Sequence, residues 1–170
     1  MLRKLLIGLL LAFVAAYVFA AFIGIEPKDR RPGTLMSGVQ QALPSDLSFA
    51  NEVQEVTLET RPWYGIPFSV TVVAVAHNDV LYVPSLYDSP QAFPGTKYWN
   101  TVIVDNPKVR LRIGASIYAF SASPVLDEEE FAQAFAALGQ KYPFWREQIE
   151  LDGRQPRFAL IRLDRIDDPA

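Results

Sequence analysis

Residues 68–83 read Phe68-Ser69-Val70-Thr71-Val72-Val73-Ala74-Val75-Ala76-His77-Asn78-Asp79-Val80-Leu81-Tyr82-Val83. The first nine positions are dense in β-branched side chains, His77-Asn78-Asp79 supplies turn chemistry, and Val80 to Val83 resume the strand pattern. The stretch is therefore a β-hairpin with both arms in the core of a sheet. Working outward, residues 53–60 (VQEVTLET) form a preceding strand, and residues 61–67 (RPWYGIP) interrupt it with two prolines and a glycine. On the other side, residues 84–95 carry three prolines and a glycine and read as a long loop of the kind that often holds function. Val109-Arg110-Leu111-Arg112-Ile113 alternates with period two, and Gly114-Ala115-Ser116 turns it into a partner strand over 117–122. Asp127 before Glu128-Glu129-Glu130 is a helix N-cap, with Phe131, Phe135, Leu138 and Tyr142 on one face and Pro143 as the stop. A last strand is expected at 158–163. The fold class is mainly β (α+β), with one helix in the C-terminal half.

Further upstream, residues 26–38 contain Pro27, Pro32, Gly33 and Gly38 among charges and read as a linker. Before it, residues 5–25 (LLIGLLLAFVAAYVFAAFIGI) are 21 consecutive residues without a charge. As a helix they span about 30 Å, the hydrocarbon thickness of a bilayer. A signal peptide is the alternative, with Val18-Phe19-Ala20 as its cleavage site, but Phe22, Ile23 and Ile25 prolong the apolar run beyond it. The expectation is an uncleaved single transmembrane helix. Arg3 and Lys4 flank one end and Lys28, Arg30 and Arg31 the other, so the charge rule does not orient it. A short basic tail before a long apolar run is the form of a signal anchor, which places the domain outside the cytoplasm, at an inner membrane. The expected organisation is an anchor over 1–25, a linker over 26–38 and a folded domain over 39–170.

Composition removes several functions. Cys is absent and His77 is the one histidine, which excludes thiolate nucleophiles and Cys/His zinc centres; no metal site is expected. After Arg3 and Lys4 the chain carries 14 basic against 19 acidic side chains, so nucleic acid is not an expected partner. There is no G-x-S-x-G elbow and neither glycine-rich phosphate cradle. His77 sits in a turn and reads as a solvated residue in preference to a catalytic base. The Asp127–Glu130 run reads as helix-dipole complementation in preference to a cation site.

The chemistry-bearing region joins the hairpin to the loop: Val83-Pro84-Ser85, then Lys97-Tyr98-Trp99-Asn100. A lysine, aromatic rings, a hydroxyl and an amide can grip a flat anionic ligand, with Lys97 against phosphate and Tyr98 or Trp99 against a ring. The competing reading packs the aromatics into the end of the β body and leaves Lys97 as a surface charge. Arg110 and Arg112 share one strand face and read as its wet side. Trp63 and Tyr64 line or close the same mouth.

The order of elements over residues 53–144 resembles the split-barrel flavin-binding superfamily, which includes pyridoxamine 5′-phosphate oxidase and the deazaflavin-dependent nitroreductases. The similar pieces are Val56 to Arg61 with Gly65-Ile66-Pro67, Val72 to Val83, Lys97 and Asn100 before Asp105-Asn106-Pro107-Lys108-Val109, and Lys141-Tyr142-Pro143. The resemblance implies a six-stranded split β-barrel, often a homodimer, with a flavin or deazaflavin ring in a groove. By position it puts Ser69, Val70 and Thr71 on the ring-facing strand, Val83, Pro84 and Ser85 on its partner, and Lys97 near the phosphate, with Tyr98, Trp99 and Asn100 beside it. The oxidase pattern has an arginine near Phe68 and a lysine near Val73, and this chain has neither. FMN or deazaflavin is the implied cofactor, with haem behind them. The functions expected are a membrane-anchored oxidoreductase acting on a small acceptor or, alternatively, a non-catalytic ligand-binding or assembly module at the membrane.

Overall fold

The computed structural model describes residues 2–29, 31–34, 36–86, 93–152 and 158–166. It opens with α1 (Leu2–Val18), prolonged by a π-helical turn over Phe19–Ile23. No side chain of α1 itself is buried, and the combined helix is long and apolar enough to cross a membrane.

Among the described residues, eight strands and three further α-helices follow, with a 3-10 turn over Ser48–Glu52. The strands are β1 (Val39–Gln40), β2 (Val56–Thr60), β3 (Phe68–Val72), β4 (Val75–His77), β5 (Val80–Leu86), β6 (Lys108–Ile113), β7 (Ser116–Pro124) and β8 (Phe158–Arg165). The helices are α2 (Tyr98–Asp105), α3 (Glu128–Lys141) and α4 (Pro143–Asp152). The sheet order is β3-β2-β6-β7-β8-β5-β4, with β1 lying parallel beside β7. The two ends of that order, β3 and β4, are joined by Val73 and Ala74 alone, so the sheet curls back on itself into a barrel.

This corrects the expectation of six strands in two places. The long strand expected over 68–76 is broken at Val73-Ala74, and β1 is added at the side. The break has a local cause. The Ala74 carbonyl accepts from Lys141 Nζ at 2.8 Å and Tyr142 Oη at 3.2 Å, so side chains occupy it, and the chain changes partner there from β2 to β5.

The hairpin turn forms as expected: Asn78 and Asp79 both adopt positive φ, 49° and 57°, matching the right-handed twist of β4 and β5. The β6–β7 hairpin also forms, with Gly114 at φ 61°. Inside the barrel, Leu58, Leu81, Val83, Leu111, Phe120, Ile161 and Leu163 are fully or almost fully buried. Each such side chain contributes about 1.5–3 kcal/mol on leaving water.

The helix content exceeds the single C-terminal-half helix expected. α3 is that helix: the Asp127 carboxylate accepts from the Glu130 N–H at 2.8 Å, and Ala134, Phe135 and Leu138 pack against Val75, Tyr82 and Leu160 outside β4, β5 and β8. It ends at Lys141, before Pro143, and Pro143 then opens α4, where its missing N–H costs nothing. α2 was expected as loop. It forms because Trp99, Val102 and Ile103 recur at helical spacing and bury one face. Half of the loop expected over 84–95, residues 87–92, lies outside the described residues, and its first three positions belong to β5. Pro84 is tolerated in that strand because β4 has already ended, leaving one edge unpaired.

Candidate functional site

α2 brings the candidate residues of three segments to one rim of the barrel. Asn100 Nδ2 donates to Ser85 Oγ and to the Pro94 carbonyl, both at 2.9 Å, which fixes α2 against the end of β5. The Tyr98 ring meets Phe68, the first residue of β3, edge-on at 5.0 Å between centroids. The Tyr98 and Tyr64 hydroxyls lie 2.6 Å apart, and Tyr17 of α1 donates its hydroxyl to the Tyr64 carbonyl at 2.8 Å. A line of tyrosines thus runs from the apolar helix to the rim. Burial, and then the bond to Tyr98, push the Tyr64 hydroxyl up to about 12.

The ten candidates divide by depth. Ser69, Val83, Pro84, Ser85, Trp99 and Asn100 are buried, Val70, Thr71 and Lys97 are partly buried, and Tyr98 is exposed. Val83 and Trp99 belong to the barrel core, and Val70 packs against it. The rim itself therefore presents Lys97 and Tyr98, with Asn100 and Ser85 bonded beneath, while Thr71 lies on the outer face of β3. Among the described residues two buried polar atoms, Ser69 Oγ and Asn100 Oδ1, have no hydrogen-bond partner. For a flat anionic cofactor the fit is partial. Lys97 and the start of α2 suit an anionic tail, whereas four of the six residues expected along the ring, Ser69, Val83, Pro84 and Ser85, are buried.

The outer face of β3, β2 and β6 holds groups that sequence reasoning did not connect. Register pairs Glu59 with Ser69 and Arg110, and Thr57 with Thr71 and Arg112. Arg110 Nε donates to Glu59 Oε1 at 2.9 Å, and Glu59 is only 2% exposed. What covers it is the stretch expected as a linker. Gly33 and Ser69 exchange backbone hydrogen bonds at 2.8 and 3.0 Å, and the Met36 N–H donates to Glu59 Oε2 at 3.2 Å. Arg112 donates to Glu26 Oε2 and the Ser37 carbonyl, each at 2.9 Å. Gly33 is required there, since a Cβ would collide with the backbone of Ile25 and Pro27. Arg110 and Arg112 lie on the outer side, as their alternation implied, but this face is roofed and ion-paired and is not a wet one.

A second, open groove of about 390 Å³ lies at the β4–β5 turn, where His77, Tyr82, Glu130, Gln133 and Arg162 converge. Glu130 Oε1 accepts from Tyr82 Oη at 2.8 Å and Arg162 Nη1 at 2.7 Å. Burial, with Glu130 alongside, pushes the Tyr82 hydroxyl up to about 12. The polar groups at the heart of this groove satisfy one another.

No protein-family profile matches the chain, and no curated protein sequence matches it. Solved structures do. The chain is similar to HutZ, the heme storage protein from Vibrio cholerae, at 18% identity over 71% of this chain and 87% of that one, TM-score 0.51. It is similar to a candidate 5-nitroimidazole antibiotic resistance protein from Bacteroides thetaiotaomicron at 14% identity over 71% and 77%, TM-score 0.50. A third is the conserved hypothetical protein Rv2991 from Mycobacterium tuberculosis, at 11% identity over 81% and 84%, TM-score 0.51. The first two are split-barrel proteins, and at these identities the likeness is one of fold. The fold of this chain is the split barrel.

Proposed function

We propose that this chain is a membrane-tethered split-barrel oxidoreductase that holds a flavin or deazaflavin at the rim formed by β3, the end of β5 and the start of α2. The observation that carries the reading is the convergence of those three segments through Asn100–Ser85 and Tyr98–Phe68. Lys97 and the first amides of α2 would take the anionic tail, and Tyr98 would border the ring. Such a cofactor, when bound, supplies the hydride chemistry for a small acceptor; the chain supplies binding and orientation. A similar fold is described as a heme storage protein, but the sole histidine of this chain, His77, sits at the opposite end of β5 from the rim. That favours a flavin over haem.

The tether is α1 with its π turn. A helix exposed along its whole length is not a core helix of this barrel, and the Tyr17–Tyr64 bond gives its far end a fixed seat. The reading places the helix across an inner membrane, with the barrel outside the cytoplasm and capable of pairing with a second copy.

The burial of six of the ten candidates favours a second reading, a ligand-binding or assembly module whose cofactor site has degenerated. Absorption spectra of the full chain in detergent, followed by titration with FMN, deazaflavin and haem, separate the two. Binding of FMN or deazaflavin, weakened by about 1–3 kcal/mol in Lys97→Ala, supports the redox reading. No binding at high micromolar concentration removes it in favour of the module.

A further inference from the structure

We infer that the loop of residues 61–67 is a second membrane-contacting element, with Trp63 and Tyr64 seated in the headgroup–acyl boundary of the bilayer that α1 crosses. This inference rests on the anchor reading above. Trp63 is 94% exposed, the most exposed large apolar side chain among the described residues, and it stands between Pro62 and Pro67. An indole left in water gives up most of its burial energy, whereas at a bilayer boundary its apolar body and polar N–H both find partners.

The depth of the loop is set by the helix. Tyr17 donates to the Tyr64 carbonyl, and a Cβ on Gly65 would lie 2.9 Å from the Tyr17 hydroxyl, so loop and helix abut. Ile23 is six positions beyond Tyr17 and the uncharged run continues to Ile25. At 1.5 Å per residue, Ile23 lies about 9 Å further along the axis. A bilayer that covers the exposed Phe22, Ile23 and Ile25 side chains must therefore also reach the loop.

The loop is built for that setting. Its Pro62 carbonyl accepts from the Gly65 N–H at 3.0 Å, its Gly65 carbonyl from Arg61 Nη1 at 3.4 Å, and its Tyr64 carbonyl from Tyr17. Pro62 and Pro67 have no N–H to leave unpaired. Part of the loop's backbone polarity is thus met internally, which lowers the cost of seating it at a poorly hydrated boundary. Arg61, half-exposed, and the exposed Lys28 and Arg31 supply positive charge beside the loop and the helix end, where lipid phosphates lie.

The test uses the full chain in phosphatidylcholine vesicles, with and without bromine atoms on the upper acyl chain as a contact quencher. Trp99 and Trp145 are 5% and 8% exposed and form a protected background, so the signal of Trp63 is the difference between the parent protein and Trp63→Phe. Far-UV circular dichroism verifies that the variant folds. The expected result is a blue-shifted difference spectrum that brominated lipid largely abolishes and aqueous iodide leaves intact. Quenching by iodide in place of brominated lipid overturns the inference. So does a blue-shifted signal that neither quencher reaches, which means a second copy of the chain covers Trp63. Vesicle flotation in the same samples separates the two failures: a protein that floats with an unquenched Trp63 keeps its anchor and loses the seated loop, and one that does not float loses both.

Discussion

Glu59 accepts two hydrogen bonds from Arg110, from Nε at 2.9 Å and from Nη2 at 2.5 Å, and its other oxygen accepts from the Met36 N–H at 3.2 Å. One carboxylate thus ties two neighbouring strands to the segment that follows the apolar N-terminal helix. Glu59→Ala leaves a guanidinium and a buried amide without their acceptor. Arg110 is one-third exposed and can regain water, so the expected loss is about 1–3 kcal/mol, below that of a fully buried pair. Chemical denaturation followed by tryptophan fluorescence measures it. Limited proteolysis should show residues 26–38 becoming cleavable first.

Asn100 carries the rim. Asn100→Ala removes donors from Ser85 and Pro94 and leaves a hole beneath α2, so stability should fall by about 1–3 kcal/mol. Asn100→Asp keeps the shape but cannot donate through Nδ2, and should lose a similar amount at neutral pH. A variant that keeps full stability would mean that Asn100 does not hold α2 in place.

Lys141 gives the barrel a pH dependence of unusual sign. Its amine donates to the Ala50 and Ala74 carbonyls at 2.8 Å each, and burial pulls it down from 10.5 to about 8. The folded state therefore holds fewer protons than the unfolded chain between about 8 and 10.5. Stability contributed at this site rises with pH through that window, and the penalty for charging the amine is fully present below it. Tyr142, packed beside it and raised by burial, acts in the opposite sense above its ordinary 10.0. The clean interval is thus from about 8 to 10. Unfolding midpoints at the ends of that interval should show the parent gaining stability relative to Lys141→Met, and equal slopes would refute the assignment.

The strands were legible because their signals are local. Alternation at Val109, Leu111 and Ile113, and Asn-Asp chemistry at 78–79, need no knowledge of distant residues. The Asp127 cap and the stop at Pro143 are local too. α2 was missed because its β-branched residues, Thr101, Val102, Ile103 and Val104, argue against a helix, although Trp99, Val102 and Ile103 already carried helical spacing. The break at Ala74 was not readable, since Lys141 and Tyr142, which cause it, lie 67 and 68 positions away. At the candidate site, residue type picked out segments that do converge at one rim but gave no information on depth. Ser85 and Asn100 look like ligand contacts in sequence and prove to bond each other. The pairing of Gly33 with Ser69 had no signal at all in a segment whose composition is that of a linker.

That pairing has a consequence for how the molecule behaves in solution. β3 is the border of its half of the sheet, and a bare border recruits strands from other chains. Here a single glycine, Gly33, latches it from within, ten positions past the end of the apolar helix at Ile23. A version trimmed to begin at Val39 would keep its barrel core yet carry an open seam, and stickiness would join a softening from the lost Met36–Glu59 and Glu26–Arg112 bonds: particles growing with concentration, and a lowered melting profile in whatever stays dispersed.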